Sequence, residues 1–232
     1  MKSYVLIGLL TVIWLALMAN IIWEGTDGTW MVEDAEKIGQ LEVAKYTNQI
    51  IVVAVVNNNA ELCLYENVSN DDWQLVFEID AIIGKNGLRK TKEGDGKTPV
   101  GVFIIKDVFG ILDNPGTKIE YTKVDESYYW VDDSSSKYYN RLVSTDLVRA
   151  DWLSAEHIVE YKESYNYVLA TSYNSECISG VGSAVFLHCT SNDMETTAGC
   201  VAIPEVYMRN ILRHLQNNCV LIIDEKENIL NY

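Results

Sequence analysis

The chain has 232 residues, of which 48% are hydrophobic, a content that supports a packed core and excludes bulk disorder. Its formal net charge of −15 excludes general binding to nucleic acid, whose phosphates would repel it, and a polybasic attachment to anionic lipid. The five cysteines form no C-x-x-C pair and the three histidines are far apart, so no zinc site of ordinary spacing is predicted.

The first element is an apolar run over residues 4–23, long enough to cross a bilayer core, which takes about 20 helical residues. The best cleavage site ends at Ala19 and is weak, because Leu17 stands where a small residue is needed. We therefore predict that residues 1–23 form an uncleaved membrane anchor, with a cleaved signal peptide as the alternative. Lys2 before the run and acidic residues after it predict one membrane pass, with the remainder outside the cytoplasm.

Residues 24–47 mix Gly, Thr and acidic residues with a mildly amphipathic stretch, which predicts a linker containing a short helix. From residue 48 the pattern is strand-rich, and residues 48–232 are predicted to form one domain. Predicted strands cover 49–56, 61–66, 72–80, 102–107, 166–173, 184–188 and 219–224. Helices are predicted over 144–158 and 205–218. The expected fold is mainly β with short helices (α+β), as a β-sandwich or barrel.

The segment that carries chemistry is VFLHCTSNDMETTAGCVAIP, in which a predicted strand delivers His188 and a polar loop leads to Gly199 and Cys200. Thiol catalysis needs a base within reach of the sulfur, and this order of residues can supply it. Gly199 would permit close approach of a substrate carbonyl, and the N–H groups around it would form an oxyanion hole. From spacing alone, a buried structural cysteine and histidine explain the pattern equally well.

Two segments together resemble the L,D-transpeptidase catalytic domain, the YkuD-type family of bacterial cell-wall enzymes. The first is GDGKTPVGVF (94–103), similar to a Thr-Pro-x-Gly-x-Phe signature after a Gly-Asp loop. The second is the histidine followed by TAGC, similar to Ser/Thr-x-Gly-Cys. The likeness covers about residues 48–224 and implies the fold of that family.

The resemblance also implies roles. Cys200 would attack a peptidoglycan stem tetrapeptide with loss of D-alanine, and the acyl group would pass to an amine of a neighbouring stem or to water. His188 would act as the base, and Cys189 would orient its ring through a backbone carbonyl. Thr197 and Gly199 would support the nucleophile. No metal or organic cofactor is required, and the implied partner is the peptidoglycan stem peptide, with no nucleic acid.

The sequence departs from the family pattern at two positions. Ala198 stands where a second histidine is common, and Ala202 stands where Arg or Asn is common. Substrate carboxylate recognition then requires another cation, for which Arg89, Arg141 and Arg149 are the candidates. The nucleophile and the base are retained.

Further residues have two interpretations. Tyr139 and Asn140 are predicted as substrate contacts in a groove, or as part of an edge strand and loop. Glu156 and His157 fall on the predicted 144–158 helix, either near the cleft or on a solvated face. Cys189 is expected to be reduced or directed away from Cys200.

Three functions compete with cross-linking by a transpeptidase. The same domain would act as an L,D-carboxypeptidase if water takes the acyl group. A non-catalytic cell-wall binding module is the second alternative, and an unrelated cysteine peptidase is the third.

Overall fold

The computed structural model describes residues 32–69 and 71–232, with side chains from residue 35 onward. The predicted anchor, residues 1–23, lies outside these residues. Within the described ranges, no helix combines the length and the apolar character needed to cross a membrane.

The main element is a large mixed sheet. Its strands are β1 Gln49–Val56, β2 Asn59–Ser69, β3 Asp72–Ala81, β4 Gly101–Gly110, β5 Thr122–Lys123, β9 Val168–Thr171, β10 Phe186–Cys189, β11 Val201–Ile203 and β12 Val220–Glu225. They run in the order β11-β10-β9-β4-β12-β1-β2-β3, with β5 paired to β4. The predicted mainly β class is confirmed, and the sheet is barrel-like.

The two outer strands of this order meet and curl the sheet into a barrel. Ile82, which follows β3, donates its N–H to the Ala202 carbonyl and accepts the Ala202 N–H, at 2.9 and 2.8 Å. Closure of a sheet on itself pairs backbone groups that would otherwise remain open at its edges. The same pairing holds strand β11 in position, and therefore also Cys200, which directly precedes this strand.

Strand β1 shows why its sequence is a continuous β-branched run. Alternate residues face opposite sides of a strand. Ile51, Val53 and Val55 lie in the core enclosed by the barrel, whereas Ile50 and Val52 belong to a second buried cluster on the outer face. Because both faces are covered, no polar alternation is needed.

The outer cluster involves part of the segment that we predicted as a linker. The predicted short helix is present as α1 Val32–Gly39, followed by a 3-10 turn at Glu42–Lys45. Ala35 and Ile38 are buried on one face of α1, and Leu41, which lies between the helix and the 3-10 turn, is buried as well. From Ala35 onward this segment is therefore part of the folded body.

A cap covers one side of the barrel, and here the helix predicted over 144–158 was wrong. The connection between β4 and β9 carries a three-stranded sheet of β6 Tyr128–Val131, β7 Leu142–Ser144 and β8 Ala155–His157, in the order β7-β6-β8. Leu147 and Leu153 are 83% and 98% exposed, so they supply no apolar face on which a helix could pack.

The second predicted helix is confirmed as α2 Glu205–His214, which ends four residues before the predicted bound. Met208, Ile211 and Leu212 on α2 are buried in the barrel core. Pro204 precedes the helix, and its fixed φ suits a helix start.

Candidate active site

The two sequence motifs that carry the resemblance touch each other. Thr98, in the first motif, is fully buried; its Oγ1 accepts the Gly84 N–H at 2.9 Å and donates to the Cys200 carbonyl at 3.4 Å. Thr197, in the second motif, donates its hydroxyl to the same carbonyl at 2.7 Å. Two threonine hydroxyls thus hold the backbone of Cys200 in place.

Gly199 packs against the first motif through its bare α-carbon. Its φ is 145°, and a Cβ at this position would lie 2.7 Å from the Lys97 carbonyl oxygen. The space beside Gly199, where we predicted that a substrate carbonyl would approach, is therefore filled by the Lys97 carbonyl of the chain itself. The Gly199 N–H donates to Thr197 Oγ1 at 3.1 Å, which leaves the Cys200 N–H as the candidate oxyanion donor.

A buried ion pair shapes the loop of the first motif. Lys90 Nζ lies 3.1 Å from Asp95 Oδ1, and the two side chains are 4% and 7% exposed. Burial alone would raise the pKa of Asp95, but N–H bonds from Thr91, Lys97 and Lys92 and the Lys90 ammonium together lower it to about 2. The loop is thereby fixed around a permanent carboxylate.

Cys200 and His188 line the same cavity, which has a volume of about 390 Å³. His188 comes from strand β10, and Cys200 directly precedes β11, which pairs with β10 in parallel. The cap contributes the opposite wall. The cavity is also lined by Lys90, Glu93, Asp132, Glu156, Tyr165, Ala184 and Ala198.

The resting thiol of Cys200 is protonated. Its Sγ donates to the Ala184 carbonyl at 3.1 Å and accepts the Phe186 N–H at 3.4 Å. Burial raises the pKa of Cys200 to about 12, and the nearby Glu156 charge raises it further, against smaller opposing effects of the Phe186 N–H and Lys90. The Cys200 side chain is therefore a thiol and not a thiolate at neutral pH.

The imidazole of His188 is neutral and fixed in one tautomer. Its Nδ1 lies 2.7 Å from the Cys189 carbonyl oxygen, and because a carbonyl only accepts, Nδ1 carries the proton and Nε2 is the basic nitrogen. Burial lowers the pKa of His188 to about 4, despite the Cys189 carbonyl, which favours the protonated ring. The Tyr165 ring packs edge-on against the imidazole, with 5.5 Å between the two ring centroids.

The contact that we expected from the residue after the histidine is present, since Cys189 reaches His188 through its backbone carbonyl. Its side chain is fully buried, and Sγ lies 3.7 Å from the Tyr167 carbonyl oxygen. All five cysteines are free. The Cys189 thiol is thus directed into the core and away from Cys200.

Tyr139 and Asn140 lie behind the cavity wall. The Tyr139 side chain is 2% exposed and donates its hydroxyl to Glu93 at 2.6 Å. Asn140 Oδ1 accepts the Ala184 N–H at 3.1 Å. Ala184 has a φ of 51°, a strained backbone conformation for a residue with a side chain. Asn140 thus holds in place the residue whose carbonyl accepts the hydrogen bond from the Cys200 thiol. Both side chains thus bond to residues that line the cavity, and direct substrate contact stays a prediction.

The sequence comparison with known families decides the classification. Residues 51–223 match the model of the L,D-transpeptidase catalytic domain, the YkuD family. The chain belongs to this family. The two motifs that meet at Cys200 both lie within the matched residues. No curated protein matches the chain.

Solved L,D-transpeptidases are distant relatives. The Enterococcus faecium L,D-transpeptidase is 13% identical, with a TM-score of 0.38 over 77% of this chain and 50% of that one. The Mycobacterium tuberculosis L,D-transpeptidase 1 is 10% identical, with a TM-score of 0.36 over 75% and 60%. The Mycobacterium smegmatis L,D-transpeptidase is 13% identical, with a TM-score of 0.36 over 76% and 58%. The chain therefore spans about half the length of the Enterococcus protein.

Three residues that line the cavity were not predicted from the sequence: Lys90, Asp132 and Tyr165. Glu156 also lines the cavity, which agrees with the cleft interpretation, but it lies on strand β8 and not on the predicted helix. The three arginines that we considered as replacements for the missing family residue do not line the cavity, and Arg89 pairs with Glu225 at 2.7 Å. Lys90, which follows Arg89 directly, does line the cavity. The Lys- and Gly-rich loop around it is the sequence feature that could have pointed to this cation.

The two departures from the family pattern differ in consequence. Ala198 lines the cavity, so a longer side chain is missing from the site itself. Ala202 is fully buried and forms the bridge to Ile82 that closes the barrel.

Proposed function

We propose that this protein is a peptidoglycan L,D-transpeptidase that cross-links the cell wall through a thioester on Cys200. The observation that carries the proposal is that Cys200 and His188 line one cavity, inside a domain that matches the family's catalytic domain over residues 51–223. The substrate would be a stem tetrapeptide, and D-alanine would be the leaving group.

The first half-reaction needs the thiol proton to move. With a thiol pKa of about 12 and an imidazole pKa of about 4, the ion pair of thiolate and imidazolium is unfavourable in the empty site. Proton transfer to His188 Nε2 therefore accompanies attack of sulfur on the carbonyl between the third and fourth stem residues. The Cys200 N–H would stabilise the oxyanion, and His188 would then protonate the departing D-alanine amine.

The second half-reaction regenerates the thiol. An acceptor amine attacks the thioester carbonyl, the C–S bond breaks, and the proton released by the amine passes through His188 to sulfur. If water attacks instead, the same acyl-enzyme yields a tripeptide. Cross-linking and trimming thus share every residue of the first step.

We also propose that residues 1–23 anchor the protein in the cell membrane, so that the catalytic domain faces the wall. The support is the length of the apolar run and the charge difference across it. Carbonate extraction of membranes from expressing cells tests this: an anchored chain stays in the pellet at its full mass. A shorter soluble chain that lacks the run would instead establish signal cleavage.

The function is tested by digesting purified disaccharide-tetrapeptide and following D-alanine and muropeptide products by mass spectrometry. We expect D-alanine release with dimer formation, abolished in Cys200→Ala and retained in Cys177→Ala, whose thiol lies outside the cavity. Tripeptide without dimer would identify a carboxypeptidase. Cleavage of ordinary L,L-peptides would identify an unrelated cysteine peptidase, and an intact substrate with no carbapenem adduct would leave only a wall-binding role.

A further inference from the structure

The cap side of the cavity is acidic, whereas the charge of the lysine on the other side is balanced by a buried carboxylate. Lys90 lies on the barrel side and is already paired with Asp95. The cap side presents Asp132 and Glu156. A third acid, Glu93, is engaged, because its Oε2 accepts the Tyr139 and Ser183 hydroxyls at 2.6 and 3.0 Å. The two cap acids are less engaged than Glu93, because Glu156 Oε2 accepts one hydroxyl and Asp132 Oδ1 accepts none.

Asp132 and Glu156 lie on one face of the small cap sheet. Trp130 on β6 is paired with Glu156 on β8. Asp132 is two residues beyond Trp130, and residues two apart in an extended segment share a face. The two carboxylates are therefore diagonal neighbours across the sheet, a spacing at which side chains interact.

One oxygen of this pair has no protein partner among the described residues. Asp132 Oδ1 is buried and accepts no hydrogen bond. Glu156 Oε2 accepts a single hydroxyl, that of Tyr165, at 2.6 Å. Buried acceptors left unpaired are costly, since the lost hydration is not replaced. Such a pair in a reaction cavity calls for a ligand that brings both positive charge and several N–H donors.

A primary ammonium group has that chemistry, with three donors and a unit charge. In the proposed reaction the acyl acceptor enters as an ammonium and must lose a proton before nitrogen can attack. The neutral imidazole of His188 is needed for the proton that leaves after attack. A separate acceptor for the first proton is therefore required.

We propose that Asp132 and Glu156 bind the ammonium group of the acyl acceptor, and that Glu156 takes its proton before the amine attacks the Cys200 thioester. The proposal rests on the proposed function and names its acceptor as a primary amine. One proton passes from nitrogen to the Glu156 carboxylate and gives a neutral amine and a carboxylic acid. The amine then forms the C–N bond, the C–S bond breaks, and the second proton reaches sulfur through His188.

The surroundings of Glu156 suit this step. Burial raises the pKa of Glu156 to about 7, the Tyr165 hydroxyl lowers it, and the charges of Asp132 and Glu93 raise it. A carboxylate of this basicity is half ionised near neutral pH and is a better base for an amine than an ordinary Glu. Loss of ionisation below pH 7 would remove both the charge that holds the ammonium and the base.

The test measures how the acyl-enzyme partitions between amine and water. Disaccharide-tetrapeptide serves as donor and Nα-acetyl-lysine amide as acceptor, and the ratio of amide to tripeptide product is measured at pH 7.5. The ratio is set after acylation, so a change in the acylation rate of a variant does not affect it. We expect Glu156→Gln to lower the ratio at least tenfold and Asp132→Asn to raise the acceptor KM. Asp146→Asn, an exposed acid on the same cap, is the matched control.

The pH profile provides the second measurement. In the wild type the ratio should fall as pH drops through 7, and this step should be absent in Glu156→Gln. A ratio unchanged in both variants would overturn the proposal and leave the transpeptidase assignment intact. Failure of wild type to release D-alanine at all would instead refute the proposed function. If Glu156→Gln does not fold, Asp132→Asn and the wild-type pH profile decide the question.

Discussion

The Sγ of Cys200 lies 3.1 Å from the backbone oxygen of Ala184, so the thiol proton points to a carbonyl and not to an imidazole. No hydrogen bond joins Cys200 and His188 in the described part of the chain. The resting site thus differs from a preformed thiolate–imidazolium pair. Before sulfur attacks, the S–H bond has to turn away from this carbonyl so that its proton can pass to His188 Nε2.

The first prediction concerns the reactivity of the free thiol. Because the pKa of Cys200 is about 12, its alkylation by iodoacetamide should rise about tenfold per pH unit from pH 7 to 10 without a plateau. Intact mass of the Cys177→Ser variant, quenched at timed intervals, measures it, and Cys200→Ala supplies the background. A plateau below pH 9 would contradict the protonated resting state.

The second prediction concerns the base. His188→Ala should lower the rate of carbapenem acylation by about 10² to 10⁴, the usual contribution of a positioned acid–base group. His214 is exposed on α2, and His214→Ala should leave the rate within twofold of wild type. Stopped-flow fluorescence or timed mass spectra measure both rates. Equal rates for the two variants would remove His188 from the chemistry.

Substitution of Gly199 should be harmful for a steric reason. Gly199→Ala places a Cβ 2.7 Å from the Lys97 carbonyl oxygen, whereas a Cβ at Gly180, whose φ of 79° is also positive, has no heavy atom within 4 Å. We expect Gly199→Ala to lose acylation activity and about 1–3 kcal/mol of stability beyond the cost in Gly180→Ala. Urea unfolding of both variants gives the difference. Equal losses would show that backbone strain alone matters.

Loss of the Thr98 hydroxyl should lower the stability of the fold and displace the backbone of Cys200, because this hydroxyl bonds both to Gly84 and to Cys200. Thr98→Val keeps the shape but leaves the buried Gly84 N–H without an acceptor, which costs about 1–3 kcal/mol. Thr98→Ser keeps the hydroxyl and should retain most of this stability. The two variants are compared by urea unfolding and by carbapenem acylation. A stable, fully active valine variant would show that the link between the motifs is dispensable.

The buried pair of Lys90 and Asp95 gives a stability that depends on pH. The pKa of Asp95 is lowered from 3.8 to about 2, so its contribution is present above pH 4 and is lost as pH falls towards 2. Asp95→Asn leaves Lys90 buried without its partner, which should cost about 3–5 kcal/mol at pH 7. Urea unfolding at pH 7, 5 and 3 should show this deficit shrinking at the lowest pH. The exposed Asp193→Asn is the control, and a deficit independent of pH would contradict the assignment.

Strands and helices were predictable where local pattern and packing agree. The β-branched run of β1 and the helix after Pro204 were both found close to their predicted bounds. The stretch 144–158 has good helix formers, but its leucines point to solvent and its backbone pairs within the cap sheet. Propensity did not decide there, because tertiary pairing of β8 with β6 outweighed it.

The site was only partly predictable for a similar reason. The proposed nucleophile and base, Cys200 and His188, lie in short motifs with a chemical signature, and their shared cavity is what those motifs predict. Glu156 and Asp132 join the cavity only because β6 and β8 are neighbours in the cap, and no local pattern encodes that pairing. Asn140 has a role that depends on Ala184, which is distant in sequence.

The hydroxyl of Thr98 and the carbonyl of Cys200 are 102 positions apart in the chain. Contacts of such long sequence separation form late, because the intervening chain must be ordered first. Until then Cys200 is an ordinary solvated cysteine, with a far more acidic thiol than in the finished domain. During refolding, the time at which the Cys200 thiol becomes resistant to alkylation would therefore show when the two motifs come into contact. This measurement needs no substrate.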